Sequence, residues 1–162
     1  MTGQPILFTR FGLATGEVVV GNVGSTDRLN YTVLGDTVNL AARLESINKH
    51  YGTQIIVSQS VYEECHHQFL LRPLDHVKVK GKNELSMIYQ LVAEKSPESP
   101  FHATPEQFML CDLFTAGYEA FSKLDIQNAL LLFSNLQEKF PNDMATALYI
   151  KRCKAWLNDQ AE

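Results

Sequence analysis

Asn39, Arg43 and Ser46 fall at i, i+4 and i+7, a spacing that places all three on one row of an α-helix whose other positions are largely apolar. Arg43 offers a planar cationic fork suited to phosphate, and Asn39 an amide that both donates and accepts. A cation and an amide on one row can hold a polyphosphate or stabilise charge developing on it. On spacing alone, however, the row reads first as the solvated face of an amphipathic helix.

The elements around this row set the fold class. Ile6 to Ala14 reads as a strand leading to a turn at Thr15-Gly16-Glu17, and Val18-Val19-Val20 as a short β-branched run that stops at Gly21-Asn22-Val23-Gly24. Their close spacing suggests an antiparallel pair. Leu29 to Leu34 is a second apolar run, ended by Gly35. The helix carrying the polar row follows, capped by Asp36 or Thr37 and ending near Gly52. Gln54 to Val57 is a compact strand, and Ser58 caps a short helix through about Cys65. Phe69 to Leu74 and His76 to Val79 are strand pieces, Lys80-Gly81-Lys82-Asn83 is a turn, and Leu85 to Ala93 is a last strand.

Composition changes at Glu94 to Pro105, where Lys95-Ser96-Pro97-Glu98-Ser99-Pro100 reads as a linker. Beyond it the pattern is helical, with helices expected over Pro105–Lys123, Ile126–Lys139 and Asp143–Leu157. Gly117, Ala129, Phe133 and Pro141 resemble the tetratricopeptide consensus of about 34 residues, although Leu113 and Ala120 stand at its tryptophan and tyrosine positions. Any helical hairpin would also satisfy the pattern. A lone repeat cannot bury its own apolar face, so it should dock on the α/β part or on a partner. The expected organisation is residues 1–94 as an α/β part, 95–105 as a linker and 106–162 as a helical tail.

Other candidate sites are weaker. Lys80-Gly81-Lys82 lacks the glycine spacing and following Ser or Thr of a P-loop. Cys65-His66-His67 are adjacent at a helix end, where side chains rarely converge on one ion. Asp75 and His76 are the components of an acid–base pair, but a turn beside a strand explains them better. Glu17 reads as structural or solvated.

Bulk properties narrow the classes. A net charge of -4 and a pI near 5.7 argue against nonspecific nucleic-acid binding. No apolar run approaches the roughly 20 residues of a membrane span, and the first ten residues do not read as a signal peptide. Three cysteines without metal spacing suit a reduced, cytoplasmic setting.

Taken together, Gly16 to Ser25, Tyr31-Thr32-Val33-Leu34-Gly35-Asp36-Thr37-Val38-Asn39-Leu40-Ala41-Ala42-Arg43-Leu44-Glu45 and Val79-Lys80-Gly81-Lys82 resemble the class III nucleotidyl cyclases, most closely their bacterial adenylate cyclase branch. The resemblance covers about Arg10 to Val92 in the family's order. It implies an α+β fold: the C-terminal part of a ferredoxin-like cyclase domain, here followed by a three-helix tetratricopeptide-like tail. It also implies a second cyclase domain, in a homodimer, meeting the first head to tail, and ATP as substrate. By the same resemblance Asn39 orients the ribose and Arg43 stabilises the transition state at the α-phosphate. Thr32 selects the base, and Lys82 approaches the terminal phosphates.

The family also uses Mg2+ or Mn2+, held by two aspartates near the start of the domain. Neither has a counterpart here, nor has the lysine that partners the base-selecting residue. The expectation is therefore an adenylate cyclase present without its metal-binding half and inactive alone; whether upstream segments anchor the parent to a membrane is left open by the resemblance. The alternative is a non-catalytic cyclase-like module whose helical tail recruits a partner.

Overall fold

The computed structural model describes residues 8–25, 28–78 and 85–160. Among them the chain forms β1 (Phe11–Leu13), β2 (Val19–Ser25), β3 (Arg28–Leu34), α1 (Asp36–Tyr51), β4 (Ile55–Ser58), α2 (Gln59–Cys65), β5 (Phe69–Lys78) and β6 (Leu85–Glu94). Three further helices complete it: α3 (Pro105–Ser122), α4 (Ile126–Lys139) and α5 (Met144–Asp159). The fold is mixed α+β, as the sequence indicates.

The main sheet has the order β1-β4-β6-β5, with β1 parallel to β4 and β6 antiparallel to both of its neighbours. The antiparallel pair expected between the Ile6–Ala14 strand and the Val18–Val20 run does not form. β1 pairs instead with β4, because α1 crosses over it and ties it down. Asn48, fully buried on α1, donates to the Phe11 carbonyl at 2.9 Å and accepts from the Thr53 hydroxyl at 2.7 Å. Gly12 permits the close approach, since a Cβ there would run into the Ala41 carbonyl and the Glu45 amide.

β2 pairs with β3 in a separate hairpin, from Val19↔Leu34 to Gly24↔Leu29 and on to Ser25↔Arg28. It continues through Gly21 and Gly24, where a stop was expected, because β3 supplies a ladder along its whole length. Val19, Val20 and Val23 of β2, with Tyr31, Val33 and Leu34 of β3, are all exposed. Gly35 then turns the chain into α1 at φ 152, a conformation that favours glycine. The expected Asp36 or Thr37 side-chain cap is not made. Gly35 is the N-cap, and the Thr37 hydroxyl donates instead to the Glu17 carbonyl at 3.2 Å.

β5 is one strand rather than two pieces. A bulge carries the register from Pro73↔Tyr89 to Asp75↔Ile88 and leaves Leu74 without a partner on β6. Pro73 is tolerated because β5 is an edge strand. On β6 successive side chains face opposite ways. Ile88 enters the core beside Leu44 of α1, while Tyr89 stacks on Tyr62 of α2, with ring centroids 3.9 Å apart.

The helical segment does not stand apart. Glu94 and Ala103 hold the connection by a backbone bond of 2.8 Å, and Thr104 and Gln107 form a capping box at the start of α3. α3 and α4 pack as a hairpin across Lys123-Leu124-Asp125, with the Phe133 ring seated against Gly117. One apolar cluster then runs from Leu44, Ile56, Leu74, Val77 and Ile88 through Phe114, Phe133, Leu136 and Tyr149. Of the two docking surfaces open to a lone repeat, the tail uses the α/β part. Each fully buried large side chain in this seam contributes about 1.5–3 kcal/mol of burial free energy.

Candidate functional site

α1 begins at the end of β3, so the hairpin and the helix together present the sequence-derived residues. Thr32 lies on β3 opposite Gly21 of β2 and is half-buried. Asn39 and Arg43, one helical turn apart, share an exposed face of α1. Ser46 does not join them, because its hydroxyl donates back to the Ala42 carbonyl at 3.2 Å within the same helix.

Arg43 reaches across to the sheet. Its Nη1 donates to the main-chain carbonyl of Lys78 at 2.6 Å, at the C-terminal end of β5. Among the described residues no carboxylate pairs with it. The arrangement is a fixed, accessible guanidinium one turn from an accessible amide, which suits a phosphate ester. Lys82 lies outside the described residues.

Lys80-Gly81-Lys82 lies outside the described residues, while Asp75, His76 and His66 take structural roles. The Asp75 carboxylate caps the His76 amide at 2.8 Å and accepts from the Tyr51 hydroxyl at 2.6 Å, while Arg152 pairs with it at 2.8 Å. The His76 ring turns to the Tyr118 hydroxyl, at 2.9 Å. His66 Nδ1 lies against the Tyr62 carbonyl at 3.1 Å. Among the described residues no three His, Cys, Asp or Glu side chains come together as a metal site. By the resemblance, the two aspartates that hold the divalent cations are not among the described residues.

Two ionic clusters escaped the sequence reading. One is Tyr51, Asp75 and Arg152; the other is Arg72 with Asp143. Asp143 carried a readable signal as an N-cap, its side chain accepting from the Thr146 amide at 2.9 Å. Nothing local pairs residues separated by 71 positions.

Residues 4–93 match the family model of the adenylate and guanylate cyclase catalytic domain, and the chain belongs to that family. Adenylate cyclase 1 of Rhizobium meliloti (strain 1021) is 47% identical over 91 residues, covering 56% of this chain and 14% of that protein. The terminal-differentiation specific adenylate cyclase of Dictyostelium discoideum is 32% identical over 148 residues, covering 90% of this chain and 7% of that protein. That second match is too long to stop at β6 and takes in helices of the C-terminal segment. The crystal structure of the adenylyl cyclase CyaB from P. aeruginosa is 31% identical, with a TM-score of 0.44, over 58% of this chain and 45% of that one. The chain thus spans a small part of the length of these curated relatives.

Proposed function

We propose that this chain serves an adenylate cyclase, contributing the side chains that act on the substrate's phosphates, ribose and base. The observation that carries the reading is Arg43, held by the Lys78 carbonyl at 2.6 Å, beside Asn39 on the exposed face of α1. In the reaction the ribose 3'-oxygen forms a bond to the α-phosphorus, the bond from that phosphorus to pyrophosphate breaks, and the hydroxyl proton leaves. Arg43 faces the charge that develops on the α-phosphate, where a preorganised cation stabilises the transition state more than the ground state. Asn39 orients the ribose, the Thr32 hydroxyl meets the adenine edge, and Lys82 approaches the terminal phosphates.

The same reading assigns the exposed apolar hairpin to a second cyclase domain. Val19 and Tyr31 are 70% and 76% exposed, an apolar surface that association would cover. It assigns Mg2+ or Mn2+ to carboxylates other than those described here. It also divides the protein into a cyclase part over 1–94, a connection over 95–105 and a helical part over 106–162, in a cytoplasmic setting. No helix among the described residues is long and apolar enough to cross a membrane.

The test is cyclic AMP formation from ATP with magnesium or manganese. It is run on this chain alone and on this chain mixed with a cyclase domain that carries the metal carboxylates but has its own arginine equivalent removed. No turnover is expected from the chain alone, and Arg43-dependent turnover from the mixture. Turnover in the mixture that survives Arg43→Ala contradicts the reading. Binding of the second domain without any turnover would favour a non-catalytic interaction module.

A further inference from the structure

Arg43 and its acceptor sit on two elements, α1 and β5, and α5 holds both of them. β5 is the edge of the sheet, so only β6 supports it by backbone pairing. The bulge leaves Leu74 out of that ladder, yet its carbonyl is satisfied: the Tyr149 hydroxyl of α5 donates to it at 2.6 Å, fully buried. One residue further, Asp75 is held by Arg152 of α5 at 2.8 Å and by Tyr51 at the end of α1 at 2.6 Å. Arg152 also donates to the Tyr51 hydroxyl at 3.3 Å and lies 4.8 Å over the Tyr149 ring. Three residues on, Lys78 offers its carbonyl to Arg43.

These contacts close a ring. It runs from Arg43 to Lys78, back along β5 to Asp75, across to Tyr51, and back along α1. Half-buried charged hydrogen bonds at one corner fix the geometry at the opposite corner, because the strand from Asp75 to Lys78 and the roughly two hydrogen-bonded helical turns from Arg43 to Tyr51 are each stiff.

We propose that the helical segment is a positioning device for the cyclase site. Arg152 and Tyr149 fix β5 at Asp75 and Leu74, three and four residues before Lys78, and thereby the direction of the Arg43 guanidinium. This rests on the reading of Arg43 under Proposed function. Removing the helical segment, or its two contacts, leaves the substrate-facing residues present but misaligned.

The experiment has two arms. Hydrogen exchange is followed by mass spectrometry in the 162-residue chain, and turnover is measured in the mixture described above. Arg152→Met should speed exchange over residues 74–78 by about tenfold and lower kcat by a similar factor, with KM nearly unchanged. Arg152→Lys, which keeps the charge beside Asp75, should recover most of both. If Arg152→Met fails to fold, Tyr149→Phe removes only the hydroxyl at Leu74 and should shift both readouts the same way by a smaller factor.

Unchanged exchange over 74–78 in both Arg152→Met and Tyr149→Phe overturns the proposal. So does faster exchange with kcat intact while Arg43→Ala still abolishes turnover. If Arg43→Ala itself leaves turnover intact, the functional reading has failed and takes this proposal with it. That failure is recognised because it appears without any change at α5.

Discussion

The guanidinium of Arg72 on β5, 2% exposed, lies 2.7 Å from the carboxylate of Asp143, the residue that caps α5. The pair is bidentate, with a second bond of 3.1 Å, and the remaining Nε of Arg72 donates to Gln90 at 2.6 Å. The Phe114 ring of α3 covers the guanidinium at 4.7 Å. A charge buried this deeply is costly unless fully paired. Here each of its three nitrogens donates one hydrogen bond, to the sheet or to the helical segment, so the two parts of the chain complete one another's core.

Truncating one partner should therefore cost more than losing an ordinary cap. Asp143→Ala leaves Arg72 buried and unpaired and also removes the acceptor for the Thr146 amide and hydroxyl. The expected loss is about 3–5 kcal/mol in urea unfolding. Arg72→Met combined with Asp143→Leu removes both charges and should recover much of that loss. If the double variant is no better than Asp143→Ala, the pair is not what holds the seam.

Acid should release the same contact. Burial alone would raise the Asp143 carboxyl, but hydrogen bonds and charge from Arg72, with two bonds from Thr146, outweigh it and hold it below the ordinary carboxylate value. A folded value below the unfolded one means the contribution is complete above about pH 4 and is lost as pH falls through the folded value. Trp156, the single tryptophan, sits partly exposed on α5, and global unfolding can be followed by its fluorescence. Stability of the native chain should fall steeply below about pH 4. Asp143→Asn should be less stable at neutral pH and show a shallower acid dependence.

One position is strained and cheap to relieve. Leu124, in the turn between α3 and α4, has φ 61 and is 67% exposed, so it gains little from packing. The left-handed conformation costs a leucine about 1–2 kcal/mol, and glycine's extra freedom in the unfolded chain offsets about 0.5–1 of this. Leu124→Gly should thus stabilise the protein by about 0.5–1 kcal/mol. Leu124→Ala, which keeps a Cβ, should give no such gain; equal midpoints for the two variants would contradict the account.

What could be read in the sequence was what is local. Ser58 and Asp143 behave at their helices as N-cap residue types do, and Ile126–Lys139 is helical over the span its periodicity gave. Misreadings arose where distant chain decided the outcome. Gly21 and Gly24 look like stops until β3 pairs along them, and Leu74 looks like a strand end until Tyr149 satisfies its carbonyl. For the candidate site, Asn39 and Arg43 were visible as a helical row because i to i+4 spacing is a local property. The Lys78 carbonyl that steers Arg43, and the α5 side chains behind it, were not visible, since no periodicity connects residues 35 or more apart.

The final prediction separates the roles of Arg43 and Thr32 in an active assembly. Arg43→Ala removes a cation aimed at charge that exists only while the α-phosphate is under attack, so turnover should fall by about 100- to 1000-fold. The Michaelis constant for ATP should move little, because the ground state loses less than the transition state. Arg43→Lys should not substitute well, since a lysine cannot both hold the Lys78 carbonyl and present a second planar donor. Thr32 acts on another part of the nucleotide. Its hydroxyl projects from β3 rather than from α1 and makes no bond to Arg43. Thr32→Ala should therefore narrow the preference for ATP over GTP while leaving the phosphate chemistry nearly as fast. The measurement is kcat and KM for both nucleotides in each variant. An Arg43→Ala effect confined to KM would return the polar row on α1 to the status of a solvated helix face, and a Thr32→Ala protein with its nucleotide preference intact would remove base selection from β3.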